Sequence, residues 1–137
     1  MLFENYVKSN KAEFLAKVKN ISAKLLIDPN WLMAVMYKES RLNPQAVNSR
    51  GGATGLIQFM PATAQALGTS TTALKAMTNV QQLDYVYKYY KPYITKLNSY
   101  PELSNDISLL IDVLRGNLLI ADKTAIPLAN ECQLVER

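Results

Sequence analysis

Between Asp28 and Pro44 the chain specifies one helix with a marked start and stop, and a single carboxylate, Glu39, lies on its apolar stripe. Asp28 is a favoured N-cap, and Pro29 suits the first helical position, where its missing N–H is not needed. Leu32, Val35 or Met36, and Glu39 then recur at the three- and four-residue spacing of one helical face. Leu42-Asn43-Pro44 should close the helix, because the residue before proline is pushed out of helical geometry. A glutamate continuing an apolar stripe is partly withdrawn from water, which favours its protonated form. A general acid working near neutral pH needs that property. The same position also suits a solvated helix-end glutamate beside Lys38, so placement alone does not make Glu39 catalytic.

The rest of the chain is punctuated in the same way. A first helix should open near Asn10, with Glu13 completing a capping box and Phe14, Val18, Ile21 and Leu25 forming the buried stripe. Residues 45–59 read as an irregular loop, with at most a short hairpin around Gly51-Gly52 and Gly55. Pro61 starts a helix over 62–67 that Gly68 caps. Ser70 or Thr71 caps a short helix to Met77. Thr78 and Gln81 form another capping box, ahead of a helix burying Val80, Leu83, Tyr87 and Tyr90. Pro92 should interrupt that helix, with a short piece running on to Leu97. Pro101 and Ser104 introduce one more, over 105–115, ended by Gly116. Residues 117–137 show no convincing period and receive no assignment. The fold class expected is all-α, mainly helical, with a small loop or hairpin insertion, in a single domain over residues 1–137.

Composition removes most competing chemistries. The chain has 137 residues, 49% hydrophobic and 19% charged, which suits a domain with a real core and argues against disorder. There is no histidine and only one cysteine, Cys132. Ser-His-Asp and Cys-His nucleophiles, the usual zinc sites and an internal disulfide are therefore excluded. Acid–base work falls to carboxylate, lysine or tyrosine. The net charge of +4 suits an anionic partner: nucleic acid, a membrane surface or an acidic polymer such as the bacterial wall. Lys8, Lys11, Lys17, Lys19 and Lys24 are scattered as on a solvated helix face, without the basic stripe and stacking aromatics of a nucleic-acid binder. No stretch approaches the roughly 20 apolar residues of a membrane span. The first residues lack the pattern of a secretory signal.

The helix end and the loop after it carry a more specific signal. Glu39-Ser40, Asn43-Pro44, and then Gly52-Ala53-Thr54-Gly55-Leu56-Ile57-Gln58-Phe59-Met60-Pro61-Ala62-Thr63-Ala64 closely resemble the signature of the lytic transglycosylase (SLT) domain family. The resemblance is strong over residues 30–68 and weaker over 80–93. It implies the lysozyme-like fold and cleavage of the β-1,4 bond between N-acetylmuramic acid and N-acetylglucosamine in peptidoglycan glycan strands, with no metal or other cofactor. In that family one glutamic acid protonates the glycosidic oxygen and then acts as base. The substrate's own N-acetyl group stabilises the developing cation, and the C6 hydroxyl attacks to give a 1,6-anhydro end. The resemblance assigns that acid/base role to Glu39.

It also assigns substrate contacts. Ser40 matches the serine after the family glutamate; a helix-end serine bonding a preceding carbonyl is the plain alternative. Ser49 matches a substrate-binding serine, and one extra residue in the spacing makes Asn48 its rival. Gly55 would let backbone approach a sugar closely. Gln58 could offer donor and acceptor to an N-acetyl group, or brace its own loop. Leu56 and Ile57 fit the family's small hydrophobic contacts or plain buried packing, and Phe59 and Met60 read as core. Many family members bring a tyrosine to the glutamate from an Ala-Tyr-Asn-type segment that this chain lacks. Tyr85, Tyr87, Tyr89, Tyr90, Tyr93 and Tyr100 are the candidates to replace it. Two other readings stay open: a hydrolytic muramidase resembling goose-type lysozyme, and a non-catalytic wall-binding module of the same fold. A monomer is expected, acting on the bacterial wall as a phage endolysin, a virion-associated enzyme or an excised domain.

Overall fold

The computed structural model describes residues 1–98. After a 3-10 turn at Glu4–Tyr6 come α1 (Lys11–Leu25), α2 (Pro29–Ser40), α3 (Pro61–Ala66), α4 (Thr71–Ala76) and α5 (Asn79–Asn98), with no strand among the described residues. The helix expected over 105–115, together with Tyr100, Asp106, Asp112 and residues 117–137, lies outside them.

The core forms around α2. Leu32, Met33, Ala34, Val35 and Met36 are all buried, so the helix is covered on every side instead of along one stripe. Asp28 caps its start as expected, its Oδ1 accepting from the Asn30 N–H at 2.8 Å. The stop differs from expectation. Arg41 and Leu42 both take left-handed backbone, at φ 56° and 61°, and end the helix at Ser40 ahead of Pro44. Their N–H groups return to Tyr37 and Met36 carbonyls, so the chain turns sharply with its last helical carbonyls satisfied.

α1 packs on α5 and α2 through Phe14, Val18, Ile21 and Leu25, all buried as read from their spacing. Its capping box does not form. Asn10 is left-handed, and its side chain instead donates to Asn79 Oδ1 at 3.2 Å, joining the start of α1 to the start of α5. Ser70 caps α4 by accepting from the Ala73 N–H at 3.0 Å. Thr78 and Gln81 form the reciprocal capping box at the start of α5.

The buried line of α5 is Gln82, Leu83, Val86, Tyr90 and Ile94, while Val80 and Tyr87 are only half-buried. Pro92 does not interrupt it: α5 runs unbroken through it. The ring faces solvent, and Tyr90 and Ile94 are packed into the core on either side of it. That packing outweighs the one hydrogen bond a proline removes.

Candidate active site

Glu39 occupies the last turn of α2, half-buried, and the segment after it is tied back against that turn. Ser40 is the tie. Its hydroxyl is buried and donates to the Leu56 carbonyl at 2.8 Å and, sharing the proton, to the Met36 carbonyl at 3.1 Å. The bond to Met36 is that of a helix-end serine to a preceding carbonyl, and the same hydroxyl anchors the signature loop. Its buried place removes it from the surface where a sugar would touch it.

Leu56 is held from the other side by Gln82. That carboxamide is fully buried; its Oε1 accepts from the Leu56 N–H at 3.0 Å, and its Nε2 donates to Pro44 O at 2.6 Å and Leu74 O at 2.8 Å. One side chain on α5 thus joins the turn after α2, the signature loop and the end of α4. Gly55 exists to let it in. A Cβ there would stand 2.6 Å from Gln82 Oε1, on backbone with φ +90°. The close approach expected from a sugar at Gly55 is made by Gln82.

The loop folds as a miniature meander with antiparallel bridges Val47–Thr54 and Thr54–Phe59. Gln58, left-handed at φ 58°, donates its Nε2 to Ala46 O at 3.2 Å and Gly55 O at 3.1 Å. It braces the loop, and its Oε1 takes no hydrogen bond among the described residues, leaving an acceptor. At the tip, Asn48 Oδ1 accepts from the Arg50 N–H at 2.8 Å, while the exposed Ser49 hydroxyl makes no hydrogen bond among the described residues. Of the two rivals, Asn48 is engaged in the turn and Ser49 is open. Phe59 is core as expected, whereas Met60 is 48% exposed, contrary to its reading as core.

Tyr89 is the tyrosine whose phenol feels the charge of Glu39. Its phenol is pushed up to about 12, mainly by burial, then by the neighbouring Tyr93 phenol and by the negative charge of Glu39. Phe59 holds it edge-on at 6.4 Å, and Tyr90 and Tyr93 pack on it at 4.9 and 5.3 Å. Tyr89 and Tyr93 also line a groove of about 430 Å³ between α3 and α5, whose other wall includes Ala62, Thr63 and Leu67. That volume lies within the roughly 300–1,000 Å³ of small-ligand sites.

Residues 17–98 match the family model for the transglycosylase SLT domain, more than half of the chain. The chain belongs to that family. No solved structure matches it. The SLT domain gives the chain its lysozyme-like all-α fold, and its activity in general terms is of the lytic transglycosylase type, on peptidoglycan. No helix among the described residues is long and apolar enough to cross a membrane. One group that matters to the site, Gln82, escaped the sequence reading, and a second, Tyr89, was named there without being told apart from its neighbours. Gln82 lies on the apolar line of α5, four residues before Val86, and a polar residue in such a line is the signal of a buried brace. Tyr89 was one of six equivalent tyrosines until Phe59 and Glu39 singled it out.

Proposed function

We propose that this SLT domain cleaves the β-1,4 bond between N-acetylmuramic acid and N-acetylglucosamine by substrate-assisted lytic chemistry, with Glu39 as its single acid and base. The observation that carries this reading is the half-buried Glu39 at the end of α2, felt electrostatically by Tyr89 at the edge of a groove. Protonated Glu39 gives its proton to the glycosidic oxygen as the C1–O bond breaks. The muramoyl N-acetyl oxygen stabilises the cation at C1. The carboxylate then takes the proton of the C6 hydroxyl as that oxygen closes on C1, leaving a 1,6-anhydro end and a free GlcNAc 4-hydroxyl. Tyr89 keeps its proton throughout and offers a hydrogen bond beside Glu39. The Gln58 Oε1 suits the N–H of an N-acetyl group, and Ser49 reaches the substrate from the loop tip.

Three of the other described acids are engaged elsewhere, in keeping with a one-carboxylate mechanism. Asp84, the first acid after Glu39, pairs with Lys17 at 3.0 Å and is largely exposed. Asp28 caps the opposite end of α2, and Glu4 binds the N-terminal amine at 2.9 Å. A hydrolase using two protein carboxylates would need a second one about 5–9.5 Å from the first. Mass spectrometry of muropeptides after digestion of purified wall tests the reading. Anhydro ends are expected from the native protein, and Glu39→Gln should lower turnover by about 10²–10⁴-fold or more with its melting curve unchanged. Reducing ends from the native protein would instead mean hydrolysis, and wall affinity without any turnover a binding module.

A further inference from the structure

A second, larger groove of about 660 Å³ lies between the start of α1, the turn after α2 and the start of α5. Glu39 does not line it. The wall formed by Arg41, Asn43 and Gln45 begins two residues after Glu39, and Lys8 and Tyr6 stand on the N-terminal wall. No aspartate or glutamate lines the groove, and among the described residues neither Lys8 nor Arg41 has a carboxylate partner.

Arg41 is held in place. Phe3 stacks on Tyr37 with ring centroids 4.0 Å apart and planes 6° from parallel, which covers one face of that ring. The Arg41 guanidinium lies over the ring at 4.6 Å and donates to the Tyr37 hydroxyl. Tyr6 meets the same ring edge-on at 4.8 Å. A guanidinium fixed by stacking loses little freedom when its remaining N–H groups bind an anion, and its planar fork matches a carboxylate.

We infer that this groove is an accessory site for the carboxylate-bearing peptide stems of peptidoglycan, with Arg41 and Lys8 holding the carboxylates and Asn43 and Gln45 reaching the stem's amides. The ligand class rests on the proposed action on peptidoglycan; the site itself is distinct from the groove lined by Tyr89 and Tyr93. Glycan strands carry peptides at regular intervals, so a site beside the cleavage centre that grips a stem would fix which bond of the strand reaches Glu39.

The test is binding, so it does not depend on turnover. The full 137-residue protein carrying Glu39→Gln is titrated with a purified free tetrapeptide stem, the same stem with its carboxylates amidated, and a glycerol-phosphate oligomer, followed by calorimetry and amide NMR. The free stem should bind and shift the amides of residues 8–10, 41–43 and 45. Arg41→Gln should weaken it roughly tenfold, as loss of a charge-assisted pair does, and Lys8→Gln, which leaves the aromatic stack untouched, should weaken it severalfold. The amidated stem should bind at least as weakly as the Arg41→Gln complex. No binding of the free stem, equal binding by both variants, equal binding of the amidated stem, or tighter binding of the phosphate oligomer would each overturn the inference. Failure of the native protein to cleave wall would overturn only the proposed activity.

Discussion

Replacing Gln82 by methionine isolates the brace on which the candidate site depends. Methionine nearly conserves volume, so the cavity contribution is small. What it removes is the acceptor for the Leu56 N–H and the donors to Leu74 O and Pro44 O. The bonds to Leu56 and Leu74 are buried and the one to Pro44 is partly so. Each buried group left unpaired costs about 1–3 kcal/mol, and Pro44 O less, because water can reach it. The sum, about 2–6 kcal/mol, is a large share of the roughly 5–15 kcal/mol that holds a typical domain folded. Urea unfolding followed by the fluorescence of Trp31, the only tryptophan, measures it. With m of about 2 kcal/mol/M, the midpoint should fall by about 1–3 M at unchanged m. A loss below about 1 kcal/mol would mean that these groups find other partners, and the reasoning would fail.

A double-mutant cycle checks why Gly55 is glycine. Gly55→Ala should cost more in the native background than in Gln82→Ala, by about 1 kcal/mol, because only the native background holds Oε1 where the new Cβ must go; strict additivity would refute that cause. Asp28→Ala should lower stability by about 1 kcal/mol through loss of the α2 cap, read as a drop in melting temperature. At alkaline pH the sign follows from Tyr89. Its folded pKa of about 12 exceeds the unfolded 10.0, so its contribution is fully present below pH 10 and lost as pH rises toward 12. Absorbance titration at alkaline pH should show a late-ionising component that shrinks by one tyrosine in Tyr89→Phe; if it is unchanged, the late phenol beside Glu39 has been misassigned.

Much of the helical framework was legible before any coordinates. The Asp28-Pro29 start, the Ser70 cap, the Thr78–Gln81 box and the Phe14–Val18–Ile21–Leu25 stripe depend on residues within one or two helical turns, and each formed as read. The Asn10–Glu13 box failed because Asn10 found a partner 69 residues away in Asn79. Pro92 was misread because its cost is local, whereas the packing of Tyr90 and Ile94 that overrides it is tertiary. The family signature was also legible, and with it a candidate acid in Glu39.

The sequence by itself determined the all-α class, the absence of imidazole chemistry and the order of helix, glutamate and glycine-rich loop. These follow from composition and from short-range backbone preferences. Only the tertiary structure decided what each polar group of that loop does. Ser40 faces Leu56 across 16 residues, and Gln82 reaches Leu56 across 26 and Pro44 across 38. Tyr89 became distinct from its neighbouring tyrosines only when α5 was laid beside the end of α2. Burial, charge coupling and hydrogen-bond choice depend on which distant segments meet, and no local pattern carries that information.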